Sequence, residues 1–175
     1  LDPRSGVSSM PERLVTTGSR LFYVAASDAG RELLVSDGTR AGTQVFADLT
    51  PGGGSTTFGQ LAALEGVLFA HVRSAPFTGR LLRTRADGGP GLEEVFKPDG
   101  GSFALTTLQA EEGGLYLLEA PGQRASIWRL AHADSAPSLL GVSPPGWLSS
   151  NSAPMRSWGS QAVVAGEISS GMLTE

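Results

Sequence analysis

Cysteine is absent from this 175-residue chain. That excludes disulfides, thiolate metal sites and cysteine nucleophiles, but it does not identify the compartment. Lys97 is the only lysine and Asn151 the only asparagine. Ser152 and Ala153 follow Asn151, so no N-glycosylation sequon exists. Positive charge is scarce, and a net charge of −4 argues against a broad nucleic-acid-binding face or an anionic membrane surface. No apolar run approaches the roughly 20 residues that cross a bilayer, so membrane insertion is not expected. The opening Leu1-Asp2-Pro3-Arg4 is neither an initiator methionine nor a signal peptide, and reads as a piece of a longer or processed polypeptide.

What the chain has in abundance is punctuation. Its 24 glycines and 11 prolines favour short strands and tight turns over helices. A single period runs through it. Leu14, Leu61, Leu108 and Met155 are spaced 47 residues apart, as are Leu21, Leu68, Leu115 and Ala162. Phe22, Phe69, Tyr116 and Val163 follow the same step. A repeat of roughly 40 to 50 residues made of several strands is the mark of a propeller blade. The expected fold is therefore all-β, a β-propeller or partial propeller of four-stranded antiparallel blades. The expected division is a lead-in over 1–13, blades over 14–60, 61–107 and 108–154, and a partial blade over 155–175.

Within the first unit, Leu14 to Thr17 reads as a strand and Gly18-Ser19 as a turn. Leu21 to Ala26 is apolar on both faces, as a strand buried on both sides would be. Glu32 to Val35 follows, then Ser36-Asp37-Gly38-Thr39, where Asp-Gly supplies positive φ cheaply. Thr43 to Leu49 completes the unit. The second unit repeats the pattern with its turn at Asp87-Gly88, and the third repeats it more faintly. Three units and part of a fourth do not close a ring of such blades, and open blade edges invite pairing. Another copy of the chain, or further blades of the same polypeptide, is the expected partner. Two copies would total about seven blades, within the usual range.

The segment Arg31-Glu32-Leu33-Leu34-Val35-Ser36-Asp37-Gly38-Thr39-Arg40-Ala41-Gly42-Thr43 closely resembles the bacterial ELWxxDGTxxGT repeat, a hyalin-like, propeller-like family. Leu21-Phe22-Tyr23 and Asp48-Leu49-Thr50-Pro51-Gly52 sit where that family carries its flanking strand and exit. The match weakens in the second unit, where Leu81 to Gly88 keeps the strand and Asp-Gly but loses Gly-Thr. In the third only Ile127-Trp128-Arg129-Leu130 and Asp134 remain. The resemblance implies tandem β-rich repeats in large secreted or cell-surface proteins. The expected function is a non-catalytic scaffold or recognition module for protein–protein interaction or assembly. The alternatives are a carbohydrate-binding, lectin-like module, or a glycan-acting hydrolase or lyase.

Few residues point to chemistry. Asp28, Asp37 and Asp48 are too widely spaced for a calcium loop. Asp37, Gly38 and Thr39 read instead as a structural turn in which Asp37 accepts backbone N–H groups. Gly52 to Ser55 lacks the lysine and helix of a phosphate loop. No metal or cofactor is expected. His71 and His132 occupy different positions in the repeat, and no Gly-x-Ser-x-Gly elbow accompanies them. Glu93 and Glu94 are strand neighbours that point to opposite faces. Trp128 takes the place of Leu34 or Leu82 and reads as core. For binding, Trp147 and Trp158 lie in loop-like stretches, and His71 reads as a packed or rim residue. Arg80, Arg83 and Arg85, with Arg73 nearby, form either an anion-attracting stripe or a solvated outer face.

Overall fold

The structure is a computed structural model describing residues 8–75, 78–85, 89–96, 100–101, 103–120, 124–143, 155–158 and 161–164. Among these residues every regular element is a strand. The first sheet comprises β1 (Glu12–Thr17), β2 (Arg20–Ser27), β3 (Gly30–Ser36) and β4 (Gln44–Ala47). The second comprises β5 (Phe58–Leu64), β6 (Val67–Ala75), β7 (Thr78–Thr84) and β8 (Leu92–Val95). The third comprises β9 (Leu105–Glu111), β10 (Gly114–Glu119), β11 (Ser126–Leu130) and β12 (Ser138–Val142). A hairpin of β13 (Met155–Trp158) and β14 (Gln161–Val164) follows. All pairings are antiparallel, and the strands of each sheet lie in chain order. That order follows from short turns, which pair each strand with the next.

The repeating Leu–aromatic pair has a direct physical meaning. Adjacent strand residues point to opposite faces. Leu68 and Ala70 pack towards the first sheet, against Phe22, Val24, Leu33 and Val35. Phe69 packs towards the third, against Leu115, Leu117, Trp128 and Leu130. In β10 the pattern recurs: Leu115 faces the second sheet and Tyr116 the opposite side. The second strand of each sheet is thus buried on both faces, which is why its sequence does not alternate. Each such side chain taken out of water contributes about 1.5–3 kcal/mol. Trp128 is buried and pairs with Leu117, as Leu34 pairs with Tyr23 and Leu82 with Ala70.

The first strands lie side by side, β1 against β5, β5 against β9, and β13 against β9. Each of the three four-stranded sheets carries a bulge on its first strand. It falls between Glu12 and Val15, between Phe58 and Leu61, and at Thr106 opposite Leu118 and Glu119. Bulges bend a strand and re-aim its side chains. They also let pairing continue, so β1 starts at Glu12 and β9 at Leu105, earlier than the expected Leu14 and Leu108.

Two buried carboxylates hold the connections between sheets. Glu32, 0 % exposed, accepts from the Leu49 N–H at 3.2 Å, the Thr50 hydroxyl at 2.9 Å and the Thr56 hydroxyl at 3.0 Å. It ties down the exit from the first sheet. Gly30 meets the same loop: at its φ of 105°, a Cβ would lie 1.7 Å from the Gly54 carbonyl oxygen. Glu119, 4 % exposed, accepts from the Ala104 N–H at 2.9 Å and the Trp128 Nε1–H at 2.7 Å. It secures the entry to the third sheet.

Candidate functional site

The three bulges gather side chains around a cleft between the second and third sheets. Its volume is about 360 Å³, and its lining includes Arg13, Gln60, His71, Arg73, Phe103 and Thr106. Arg13 and Gln60 are 47 residues apart, so they are repeat equivalents on successive bulged strands. Arg13 adopts a φ of 56°, a left-handed conformation uncommon outside glycine. Its guanidinium lies 3.6 Å from Glu12, whose carboxylate is held at 2.7 Å by Arg31. Arg73 is exposed at the cleft, and its guanidinium has no ion-pair partner among the described residues.

His71 is seated opposite the second bulge, between Phe58 and Leu61 across the ladder. It is 2 % exposed. A Cβ at Gly59 would come within 2.3 Å of its Nδ1, and one at Gly79 within 2.4 Å of its Nε2. Both flanking strands therefore carry glycine where the ring lies, a use of strand glycine that admits close approach. Burial pushes the His71 pKa below its ordinary 6.5, and the charges of Arg73 and Arg13 push the same way. The Phe103 carbonyl and Glu119 oppose that shift. These effects together favour the neutral ring over the charged one.

Two polar atoms at this site are buried and unpaired. Gln60 donates through Nε2 to the Thr106 carbonyl at 3.1 Å, while its Oε1 has no partner. His71 Nε2 likewise has none. Buried polar atoms without partners are rare in folded proteins and call for an explanation. The cleft thus combines two guanidinium groups at its mouth with an acceptor and an imidazole beneath.

The residues singled out by sequence fare differently. His71 is a mid-strand residue enclosed by two glycines, not a rim residue, and it does line the cleft. Arg80 and Arg83 do not form a stripe. They pair across the ladder with Val72 and Phe69, which face opposite sides, and two residues of strand lie between them. Arg80 lies 3.8 Å from Glu94, whereas Arg83 lies 2.7 Å from Glu93 and also donates to the Ala133 carbonyl. Glu93 and Glu94 accordingly serve different arginines on different faces. Trp158 falls in β13 and not in a loop. Trp147, Asp87 and Gly88 lie outside the described residues.

The Asp37 turn has the architecture its residue types imply. Asp37 Oδ1 accepts from the Thr39 N–H at 2.9 Å and from the Thr39 hydroxyl at 2.7 Å. Gly38 takes a φ of 91°. The Thr39 hydroxyl accepts from the Gly42 N–H at 3.0 Å, and the Thr43 hydroxyl donates to the Thr39 carbonyl at 2.6 Å. A Cβ on Gly42 would meet the Asp37 carboxyl at 2.1 Å. Each residue of this Asp-Gly-Thr…Gly-Thr segment thus has a structural duty within the turn.

Arg13, Gln60, Gly59 and Gly79 were not singled out from sequence. The available signals were the 47-residue spacing of Arg13 and Gln60 and two glycines inside otherwise regular strands. No group of three or more His, Cys, Asp or Glu among the described residues is placed to hold a metal ion. No protein-family model, curated protein or solved structure matches the chain.

Proposed function

We propose that the chain is part of a β-propeller and serves as a non-catalytic scaffold and recognition module of a secreted or cell-surface protein. The observation that carries this reading is the succession of first strands, β1 to β5 to β9 to β13, with the first sheet packing face to face on the second and the second on the third. Blades arranged around an axis place their first strands in that way. The sequence resemblance to the ELWxxDGTxxGT repeat supports the same reading.

The polar side chains support it too. Asp37, Glu32 and Glu119 are occupied in turns and inter-sheet connections. The cleft remains as the recognition surface, where three first-strand bulges converge. The missing part of the ring comes from a second copy or from further blades of the same polypeptide.

Light scattering over a concentration series tests the assembly. A stable dimer supports closure by a second copy, and a well-behaved monomer at all concentrations refutes it. Incubation with a panel of glycoside and polysaccharide substrates tests the non-catalytic reading. Turnover abolished by His71→Asn would replace it with an enzyme.

A further inference from the structure

We propose that the cleft between the second and third sheets binds a carboxylate-bearing sugar, a uronic acid residue of a glycan. This rests on the recognition reading and names its ligand. The cleft's volume of about 360 Å³ lies at the small end of ligand pockets, which run to roughly 1,000 Å³. One or two sugar rings fit that space.

The charge pattern selects the ligand. Arg73 has no counter-charge among the described residues, and the Glu12 carboxylate beside Arg13 is held more closely by Arg31. Guanidinium groups present paired N–H donors that match a carboxylate. The acidic residue that acts on His71 is Glu119, and its carboxylate is engaged by Ala104 and Trp128.

The unpaired atoms narrow the choice further. Gln60 Oε1 is an acceptor and requires a donor. A fully ionised oxyanion such as sulfate offers it no donor. A free amino acid would bring an ammonium against Arg13 and Arg73. A uronic acid offers a carboxylate and neighbouring hydroxyls on one small ring, so it satisfies the guanidinium groups and the amide oxygen together. His71, held in place by Gly59 and Gly79, shapes the cleft's inner wall.

The test is calorimetric titration of the intact chain with glucuronate, glucose and sulfate in parallel. Saturable binding of glucuronate in the millimolar range is expected, with glucose at least tenfold weaker. Arg73→Gln, at an exposed position, is expected to weaken glucuronate about tenfold with no change in thermal stability, and Arg13→Gln to weaken it similarly. Absence of saturable glucuronate binding overturns the proposal, as does equal binding of glucose or an unaltered affinity in both variants. Sulfate binding as tightly as glucuronate also overturns it, because the hydroxyl-to-Gln60 contact then contributes nothing. A nitrophenyl glucuronide resolves the two levels of argument. If it binds and is recovered intact, both stand. If it binds and is cleaved, the site stands and the non-catalytic reading falls.

Discussion

The first and third sheets solve one problem from opposite sides. Glu32 lies on β3, directly across the ladder from Ala25 of β2. Glu119 lies on β10, directly across from Ser126 of β11. These are the corresponding cross-strand pairs, but the carboxylate has changed strands. In the first sheet it fastens the chain leaving for the second sheet. In the third it fastens the chain arriving from the second. A connection between sheets needs its N–H and hydroxyl donors satisfied once buried. Either strand of the pair can supply the acceptor, so decay of the repeat motif in the third unit did not entail loss of its function in folding.

The largest expected effect breaks this comparison at Glu32. Glu32→Ala leaves three donors without their acceptor and should cost about 3–5 kcal/mol in chemical denaturation. Glu119→Ala strips the Ala104 N–H and the Trp128 Nε1–H of their acceptor and should cost about 2–4 kcal/mol. If Glu119→Ala were neutral, the two carboxylates would not be equivalent and the comparison would fail. Trp128→Phe sharpens the point. It keeps the ring but removes the Nε1–H that Glu119 accepts, and should cost about 1–2 kcal/mol.

The second sheet has neither carboxylate at this pair, and its buried polar residue is His71. Gly59→Ala drives a Cβ into that ring at 2.3 Å and should destabilise by about 1–3 kcal/mol. Combining it with His71→Ala should recover part of the loss, a coupling that a double-mutant cycle measures. Additive losses would show that the ring does not lie where Gly59 permits it. At the exposed Asp37 turn of the first sheet, Asp37→Ala removes two hydrogen bonds that water can replace, and should destabilise less than Gly59→Ala in the same denaturation assay.

The smallest effects are those of pH, and the two histidines have opposite signs. His132 lies exposed 2.8 Å from Glu65, whose other oxygen accepts from the Ala133 N–H at 3.0 Å, bridging the second and third sheets. Hydrogen bonding and charge from Glu65 raise the His132 pKa above 6.5. Bonds from Ala133 and His132 lower that of Glu65 below 4.5. The pair's contribution is therefore fully present between pH 4.5 and 6.5. It is lost as pH rises through the folded value of His132 or falls through that of Glu65. His71 does the reverse: its folded pKa is depressed, so its neutral form is favoured above pH 6.5 and stability drops as pH falls below that. An NMR titration should show His132 titrating above His71. The stability difference between the parent and His132→Asn should shrink from pH 6 to pH 8.

Much of the architecture was legible because it is local. Leu21–Phe22, Leu68–Phe69 and Leu115–Tyr116 recur in step, and their lack of alternation announces strands buried on both faces. Asp37-Gly38-Thr39 declares its turn through side-chain chemistry that reaches only a few residues. The stripe alternative for Arg80 and Arg83 fails because positions three apart on a strand face opposite sides, which strand period alone shows. For His71 the sequence left packed and rim positions both open, because its burial depends on Gly59 and Gly79, each in a different strand. Glu119 went unremarked because its partners, Ala104 and Trp128, come from separate segments.

The sequence by itself determined the number and order of strands, the turn chemistry and the two-faced burial of β2, β6 and β10. Each follows from side-chain alternation and backbone preference over a handful of residues. Only the tertiary structure decided which strand of a pair supplies the buried carboxylate, and that Arg13, Gln60, His71 and Arg73 share one cleft. Those outcomes depend on bulges that shift register by one residue and on packing between sheets, and no local pattern encodes where distant bulges converge.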